Sequence, residues 1–509
     1  MTPHLYLLSR KLPFALLLGV LAVAGFAPFY LFPFPVLSLA GLFWLWKHSP
    51  GRFAAVLVGF VFGLGFFGAG VSWVYVSLHD YGAMPAPLAA TATFLFCLFL
   101  ALFPAAVGFL QYMSRTKWII KATLLLPALW VAMEWVRGWI FTGFPWLAVG
   151  YAQAPYSPLA GFAPVLGIYG VSLLTAVSAG LLLCVLTGKT SAGHRSRALW
   201  AVLLLAIWGS GFALKQVAWT QPEGEAVSVS LLQGNISQDL KWREDRTVST
   251  LNSYRNMVLS SHSRLIILPE TALPLFYHNV PRSYLDELAE HARANKGDLL
   301  IGLPEYEGDK RESYYNSVLS FGSAATQTYR KFHLVPFGEY VPLKWFFGWI
   351  IESLQIPLTD FSRGDKFQKP MNVAGQRVAV NVCYEDVFGE EIIRQLPAAT
   401  MLVNVSNDAW FGDSVAPHQH LQISQMRALE TGRYMLRATN TGVTAIVNER
   451  GVVEQRLPEF VEGMLNGRVQ GFVGETPYIK WGNWAVLSMM AVMIMLAVSF
   501  GRQKKVSQS

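Results

Sequence analysis

The sequence predicts a membrane α-helical bundle of about eight transmembrane helices joined to a separate α/β domain, and three observations point there. Charged residues make up only 14% of the chain, where soluble domains hold roughly a quarter, so much of the surface must face something other than water. The deficit is local: residues 12–220 and 479–500 are mostly apolar, whereas 221–475 have the mixed composition of a globular domain. In that middle stretch short apolar runs alternate with amphipathic ones, as strands alternate with helices in a layered α/β sheet. The expected division is a membrane domain over 1–220, an α/β domain over 221–475, and a last helix with its tail over 476–509.

A hydrocarbon layer about 30 Å thick needs roughly 20 apolar residues per helix. Such runs lie near 12–28, 33–47, 53–75, 87–113, 118–137, 163–187 and 196–216, with the last at 480–500. Basic residues then fall on alternate connections: Arg10 and Lys11, Lys47 and Arg52, Arg115 and Lys117, Lys189 with Arg195 and Arg197, and Arg502 with Lys504 and Lys505. The loops between, 29–32, 76–86 and 138–162, hold neither Lys nor Arg. Positive residues favour the cytoplasmic side. Both termini are therefore expected inside, with the α/β domain outside, in the periplasm. The same reasoning accounts for the net charge of +8 without nucleic acid. The first apolar run is followed directly by others, so it reads as a retained anchor and not a cleaved signal.

Within 221–475, Val227–Gln233, Arg264–Pro269, Leu299–Leu303, Val378–Cys383 and Met401–Val405 read as buried strands, and 240–260, 282–295 and 417–433 as helices, the second opening with Pro281 in its first turn. Residues 341–357 break the pattern, with Trp345, Phe346, Phe347, Trp349, Ile350 and Ile351 almost in succession. Too short to span, this segment reads as an arm dipping into the lipid interface, with a buried core helix as the alternative.

Of three cysteines, Cys97 and Cys184 lie in apolar runs and only Cys383 in the α/β domain, which excludes a disulfide framework and a zinc knuckle. Cys383 ends one predicted strand, Glu270 ends another in Leu-Pro-Glu, and Lys331 opens a loop that reaches Glu339. Strand ends are where open α/β sheets place working residues. A thiol attacks carbonyls as thiolate, an ammonium beside it lowers its pKa, and a carboxylate can carry the proton. Lys331 with a backbone N–H could also hold an oxyanion. On spacing alone an inert, buried Cys383 stays as open as a catalytic one.

The segments LPE (268–270), KFHLVPFGEYVP (331–342) and VCYED (382–386) resemble, in order, the three signature regions of the nitrilase or carbon–nitrogen hydrolase superfamily. With the membrane frame, the chain is similar to the apolipoprotein N-acyltransferase family. GVSWVYVS (70–77), TGFPWLAVGYAQ (142–153), GNISQDLKW (234–242), SNDAWFG (406–412) and RATNTGVTA (437–445) agree. The resemblance implies a nitrilase-like α-β-β-α sandwich in which Glu270 is general base, Lys331 stabilises the oxyanion and Cys383 is the nucleophile. Glu339, Tyr384 and Glu385 are supporting residues. It implies ping-pong transfer of an acyl chain from a membrane phospholipid, as from sn-1 of phosphatidylethanolamine. The chain passes through a thioester to the α-amine of an S-diacylglyceryl cysteine on an apolipoprotein. No cofactor is expected, and nothing calls for more than a monomer.

Other candidates have two readings each. Glu134 and Arg137 share a helix face within a span, as a structural pair or a lipid headgroup site. Trp242, Trp410 and Phe411 could line the substrate entrance or pack the core, as could Trp345, Phe346 and Trp349 of the apolar arm. Asn316 could hydrogen-bond near the site; Asn440-Thr441-Gly442 reads as a turn. His333 supports the lysine loop by hydrogen bonding. His418 and His420, two apart on a helix, do not share a face and give no metal site. A membrane-anchored amidase or nitrilase would use the same three groups with water as acceptor, although a small polar amide needs no membrane frame. A transporter would want polar residues near the midplane of several spans, which are few here.

Overall fold

The computed structural model describes residues 3–187, 193–307, 313–341, 345 and 360–506 and divides the chain between two units. One is Met1–Tyr75, Ala86–Val217 and Lys480–Ser509; the other is Val76–Pro85 and Ala218–Ile479.

The first unit is helical: α1 (Pro3–Val23), α2 (Pro33–Lys47), α3 (Arg52–Gly70), α4 (Ala86–Met113), α5 (Leu126–Arg137), α6 (Ala163–Thr187) and α7 (Gly193–Leu214), with a final helix Trp484–Val506. Among the described residues, five helical stretches are long and apolar enough to cross a membrane: Arg52–Gly70, Ala86–Met113, Trp118–Arg137, Pro158–Thr187 and Ser196–Leu214. Gly59 and Gly63 let α3 lie against α4: a Cβ would stand 2.4 Å from the Pro104 carbonyl oxygen at Gly59 and 2.8 Å from Ala101 Cα at Gly63. Such backbone proximity stabilises helix pairs where lipid removes the hydrophobic drive between them. Leu17, Phe53, Leu95, Leu102, Leu205 and Phe212 point outward and are exposed, the inverse of a water-soluble bundle.

The second unit contains twelve strands among its described residues. The first sheet takes β1 (Gln221–Gln233), β2 (Leu265–Ile267), β3 (Asp298–Tyr306), β4 (Tyr314–Gly322) and β5 (Thr328–Arg330). The second takes β6 (Met371–Val373), β7 (Gln376–Val382), β8 (Met401–Ser406), β9 (Met435–Thr439), β10 (Ala445–Val447) and β11 (Val453–Arg456). The last strand, β12 (Gly463–Val473), returns to the first sheet. The orders are β12-β1-β2-β3-β4-β5 and β11-β10-β9-β8-β7-β6. β1, β2 and β3 run parallel, as do β7, β8 and β9.

Alternation decides the layers. Val227, Val229 and Leu231 of β1 share one core with Val378, Val380 and Val382 of β7 and Val403 and Val405 of β8, so the two sheets face each other. The opposite faces carry Leu232, Ile266 and Leu299, covered by α8 (Glu244–Ser260) and α9 (Arg282–Ala294), and Ala379, Leu402 and Met435, covered by α10 (Ala416–Thr431). The result is an α-β-β-α sandwich. Each predicted strand and helix has a counterpart, although the helix predicted over 240–260 is interrupted at Trp242–Arg243, between the short helix Gln238–Lys241 and α8. Cys383, however, lies one residue beyond β7, opening a 3-10 turn over Cys383–Val387, and Pro281 is the N-cap of α9 instead of its first helical residue. Residues 76–85, expected as a plain loop between spans, belong to the α/β unit: Ser77 Oγ donates to the Trp410 carbonyl at 2.8 Å.

Candidate active site

The carboxyl ends of β1, β2, β5, β7, β8 and β9 are tied together by hydrogen bonds, and the three principal candidates sit on those ends together with Asn407, which the sequence reading did not single out. Glu270 follows β2, Lys331 follows β5, Cys383 follows β7 and Asn407 follows β8. Three of these turns take the left-handed conformation that side chains disfavour: Asn235 (φ 49°), Thr271 (φ 43°) and Cys383 (φ 53°). Strain of this kind persists where surrounding structure fixes it, commonly at functional sites.

Lys331 is fully buried, 1% exposed, and its Nζ lies 2.9 Å from the Glu339 carboxylate and 3.6 Å from Glu270 Oε1. Asn316, on β4, donates from Nδ2 to Glu270 Oε1 at 2.7 Å and to Glu339 Oε1 at 3.0 Å. Glu270 Oε2 accepts from the Asn407 backbone N–H at 2.8 Å, and Glu339 Oε2 from the Val335 N–H at 2.8 Å. Burial works to discharge the Lys331 ammonium, but Glu339, Glu270 and Cys383 outweigh it and hold its pKa above the usual lysine value.

The thiol departs from expectation. The neighbouring ammonium was expected to lower its pKa, yet burial and the Glu270 carboxylate push the Cys383 thiol up, and Lys331 opposes them only in part. The resting sulfur is therefore protonated. Cys383 is nonetheless partly accessible, and its turn is anchored through its own carbonyl, which accepts from Asn404 Nδ2 at 3.0 Å.

Glu385 clasps two loops together. Its Oε1 accepts from the backbone N–H of Phe332 (2.7 Å) and His333 (3.1 Å); its Oε2 accepts from Val382 N–H (2.7 Å) and the Tyr329 hydroxyl (2.9 Å). The lysine loop and the cysteine turn are thus fixed through one carboxyl, whose pKa burial raises to about 7. Tyr384 is buried, its ring packed edge-on against Phe388 and 6.1 Å from the His333 ring. His333 stacks on Phe388 at 3.7 Å, and its Nδ1 lies 3.3 Å from Glu391.

Several buried residues were given no role at the site by the sequence reading, His420 having been weighed there only as a metal ligand. Beneath the cysteine turn, Asp386 and Asp408 flank His420 at 2.9 and 3.0 Å, and Arg437 bridges the same two carboxylates at 3.3 and 2.7 Å. Burial opposes ionisation of Asp408, but Arg437 and His420 hold its carboxyl far below the usual range. Ser406 donates to Asp408 at 2.7 Å and also reaches the Cys383 thiol. Asn440, expected only as a turn residue, donates to Asn407 Oδ1 at 2.9 Å and accepts from Ile236 N–H at 2.9 Å, joining the loops after β1, β8 and β9. Lys241 is buried beside Glu270. Alternating strand patterns cannot reveal such residues, although most lie within or beside the SNDAWFG, RATNTG and GNISQDLKW segments.

The remaining candidates divide. Trp242 caps the short helix Gln238–Lys241, and the Phe411 ring meets His420 edge-on at 6.3 Å. Trp345 is 83% exposed, whereas Phe346 and Trp349 lie outside the described residues. His418 pairs with Glu459 at 3.1 Å. In the helical unit Glu134 and Arg137 are both buried. Glu134 Oε1 accepts from Trp130 Nε1 and Val149 N–H, each at 2.9 Å. Arg137 Nη1 donates to the carbonyls of Phe144 and Trp146, each at 2.5 Å. They pin the 138–150 loop to α5.

Two facing sheets between helices, with a carboxylate, an ammonium and a thiol following strands of both sheets, define a carbon–nitrogen hydrolase type of domain. The family described as Carbon-nitrogen hydrolase matches residues 228–478, and that described as Apolipoprotein N-acyltransferase N-terminal domain matches residues 18–181. The chain is 56% identical to the apolipoprotein N-acyltransferase of Nitrosomonas europaea, over 96% of this chain and 98% of the relative. It is 45% identical to that of Methylococcus capsulatus over 96% of each, and 42% identical to that of Chromobacterium violaceum over 96% of this chain and 94% of the relative. The chain belongs to the apolipoprotein N-acyltransferase family.

Proposed function

We propose that this enzyme transfers an acyl chain from a membrane phospholipid, through a thioester on Cys383, to the α-amine of an S-diacylglyceryl cysteine at the N-terminus of an apolipoprotein. The observation that supports the assignment is the buried Glu270–Lys331–Glu339 cluster, cross-braced by Asn316, beside a cysteine in a strained turn.

Because the resting thiol is protonated, attack requires that its proton be taken up. Each Glu270 oxygen accepts one protein hydrogen bond and keeps a lone pair for the thiol proton. Cys383 Sγ adds to the ester carbonyl while its proton passes to Glu270. Lys331 stabilises the oxyanion. The ester C–O bond then breaks, Glu270 returns the proton to the departing alkoxide, and a lysophospholipid leaves. In the second half the acceptor amine adds to the thioester, Glu270 takes its proton, the C–S bond breaks, and the sulfur regains a proton as the amide forms. Acyl transfer to an amine and not to water requires a dry site, which a membrane-embedded enzyme can provide.

We further propose eight membrane spans, comprising α1–α7 with the 1–220 segment and the final helix within 476–509, with both termini cytoplasmic and the catalytic unit periplasmic in the bacterial inner membrane. Alternating basic loops support this orientation. The protein acts as a monomer. The test is intact-mass spectrometry after incubation with phosphatidylethanolamine alone: an adduct of one acyl chain, absent from Cys383→Ala and discharged by a diacylated lipopeptide, is expected. Absence of an adduct from the native protein, or its persistence in Cys383→Ala, refutes the assignment.

A further inference from the structure

Lys241 ends the short helix after β1, and its side chain is 2% exposed. Its Nζ donates to two neutral oxygens, Thr271 Oγ1 at 2.5 Å and the Glu270 carbonyl at 3.3 Å. A buried ammonium bonded to neutral oxygens is costly, so it persists where nearby charge compensates. Here that charge comes from Glu270 in the resting enzyme, joined by the Cys383 sulfur once it ionises, since the negative forms of both favour the ammonium. Beyond them stand Lys331 and Glu339, so without Lys241 this chamber sets two carboxylates against one ammonium. Adding an anionic tetrahedral intermediate to that balance is unfavourable. The residue Lys241 grips, Thr271, directly follows the base and holds the left-handed φ of 43°.

We propose that Lys241 is a positioning residue for acyl transfer: it fixes the turn that aims Glu270 and supplies the second positive charge that offsets the anion forming at Cys383 and the acyl oxygen. This rests on the roles given above to Glu270 and Cys383. Burial lowers the lysine to about 8, so its charge is present at neutral pH and fades on the alkaline side.

The experiment uses the full-length protein in detergent and follows iodoacetamide alkylation at Cys383, by peptide mass spectrometry, from pH 7 to 9.5. Acyl-adduct formation from phosphatidylethanolamine is measured in parallel. Removing the charge in Lys241→Met should raise the thiol pKa by about one unit and slow alkylation about tenfold at pH 7. The ratio to native protein should shrink towards one above about pH 8, where the native lysine is itself discharged. Lys241→Arg should keep the native rate at pH 7, and adduct formation should fall in the Met variant alone. A ratio near one at pH 7, a ratio constant with pH, or an Arg variant as slow as Met overturns the proposal. If the Met variant does not fold, Lys241→Gln is read the same way. Cys383→Ala separates the two levels: an adduct surviving in it refutes the nucleophile assignment, whereas its absence beside an unshifted Lys241→Met profile refutes only the lysine.

Discussion

Replacing Glu385 with Gln should change how stability depends on pH, by an amount that follows from its surroundings. Four donors converge on this carboxyl, yet burial outweighs them and lifts its pKa from 4.5 to about 7. Below pH 4.5 the group is neutral in both folded and unfolded chains, and no penalty arises. As pH rises towards 7 the unfolded chain ionises first, so stability is lost across that window and levels off above it. The rise of 2.5 units corresponds to about 3 kcal/mol, or roughly 6–12 °C in melting temperature for a unit of this size. Glu385→Gln lacks the titration, and its amide NH2 also meets a backbone N–H head-on, so it starts less stable. The assay is tryptophan-fluorescence melting of both proteins in detergent between pH 4.5 and 8. The native-minus-variant difference should fall by that amount as pH rises, with groups common to both cancelling. A flat difference refutes the argument, and a growing one would mean that the four donors outweigh burial.

Gly302→Ala would put a Cβ 2.4 Å from the Pro269 carbonyl and 2.8 Å from Glu270 Cα. Displacing Glu270, the proposed base, should cut acyl-adduct formation about 100-fold, and a rate within threefold of native would refute the contact. Glu339→Gln removes the carboxylate that most favours the Lys331 ammonium, so the lysine pKa falls and adduct formation should drop more at pH 9 than at pH 7; an equal drop at both counts against it. Arg437→Met leaves Asp386 and Asp408 without their shared cation and should cost about 3–5 kcal/mol, read as a lower melting temperature with no change in spectroscopic helix content at 20 °C.

The layered architecture was legible because burial on both faces leaves uninterrupted apolar runs, as in Leu265–Leu268, while surface helices such as α9 keep a one-sided pattern. Short edge strands such as β6 and β11 left no comparable trace. Glu270, Lys331 and Cys383, the proposed catalytic groups, were legible because they lie in recognisable segments, Glu270 and Cys383 also at the ends of readable strands. The cage of Asp386, His420, Asp408 and Arg437 was not: His420 was weighed only for a metal, the others are ordinary polar residues in sequence, and only long-range folding buries them together. The thiol's protonation state was misjudged for a related reason, since spacing reveals the helpful lysine but not the desolvation that overrides it.

The assignment of Val76–Pro85 to the catalytic unit bears on how the enzyme can be dissected. The polypeptide passes between the two units four times instead of twice, at 75–76, 85–86, 217–218 and 479–480. A fragment excised at the last two junctions, 218–479, would lack the Val76–Pro85 segment, leaving the Trp410 carbonyl without its Ser77 hydroxyl donor. Grafting that decapeptide back, or supplying it in trans, is therefore the natural first step towards a truncated, detergent-free preparation.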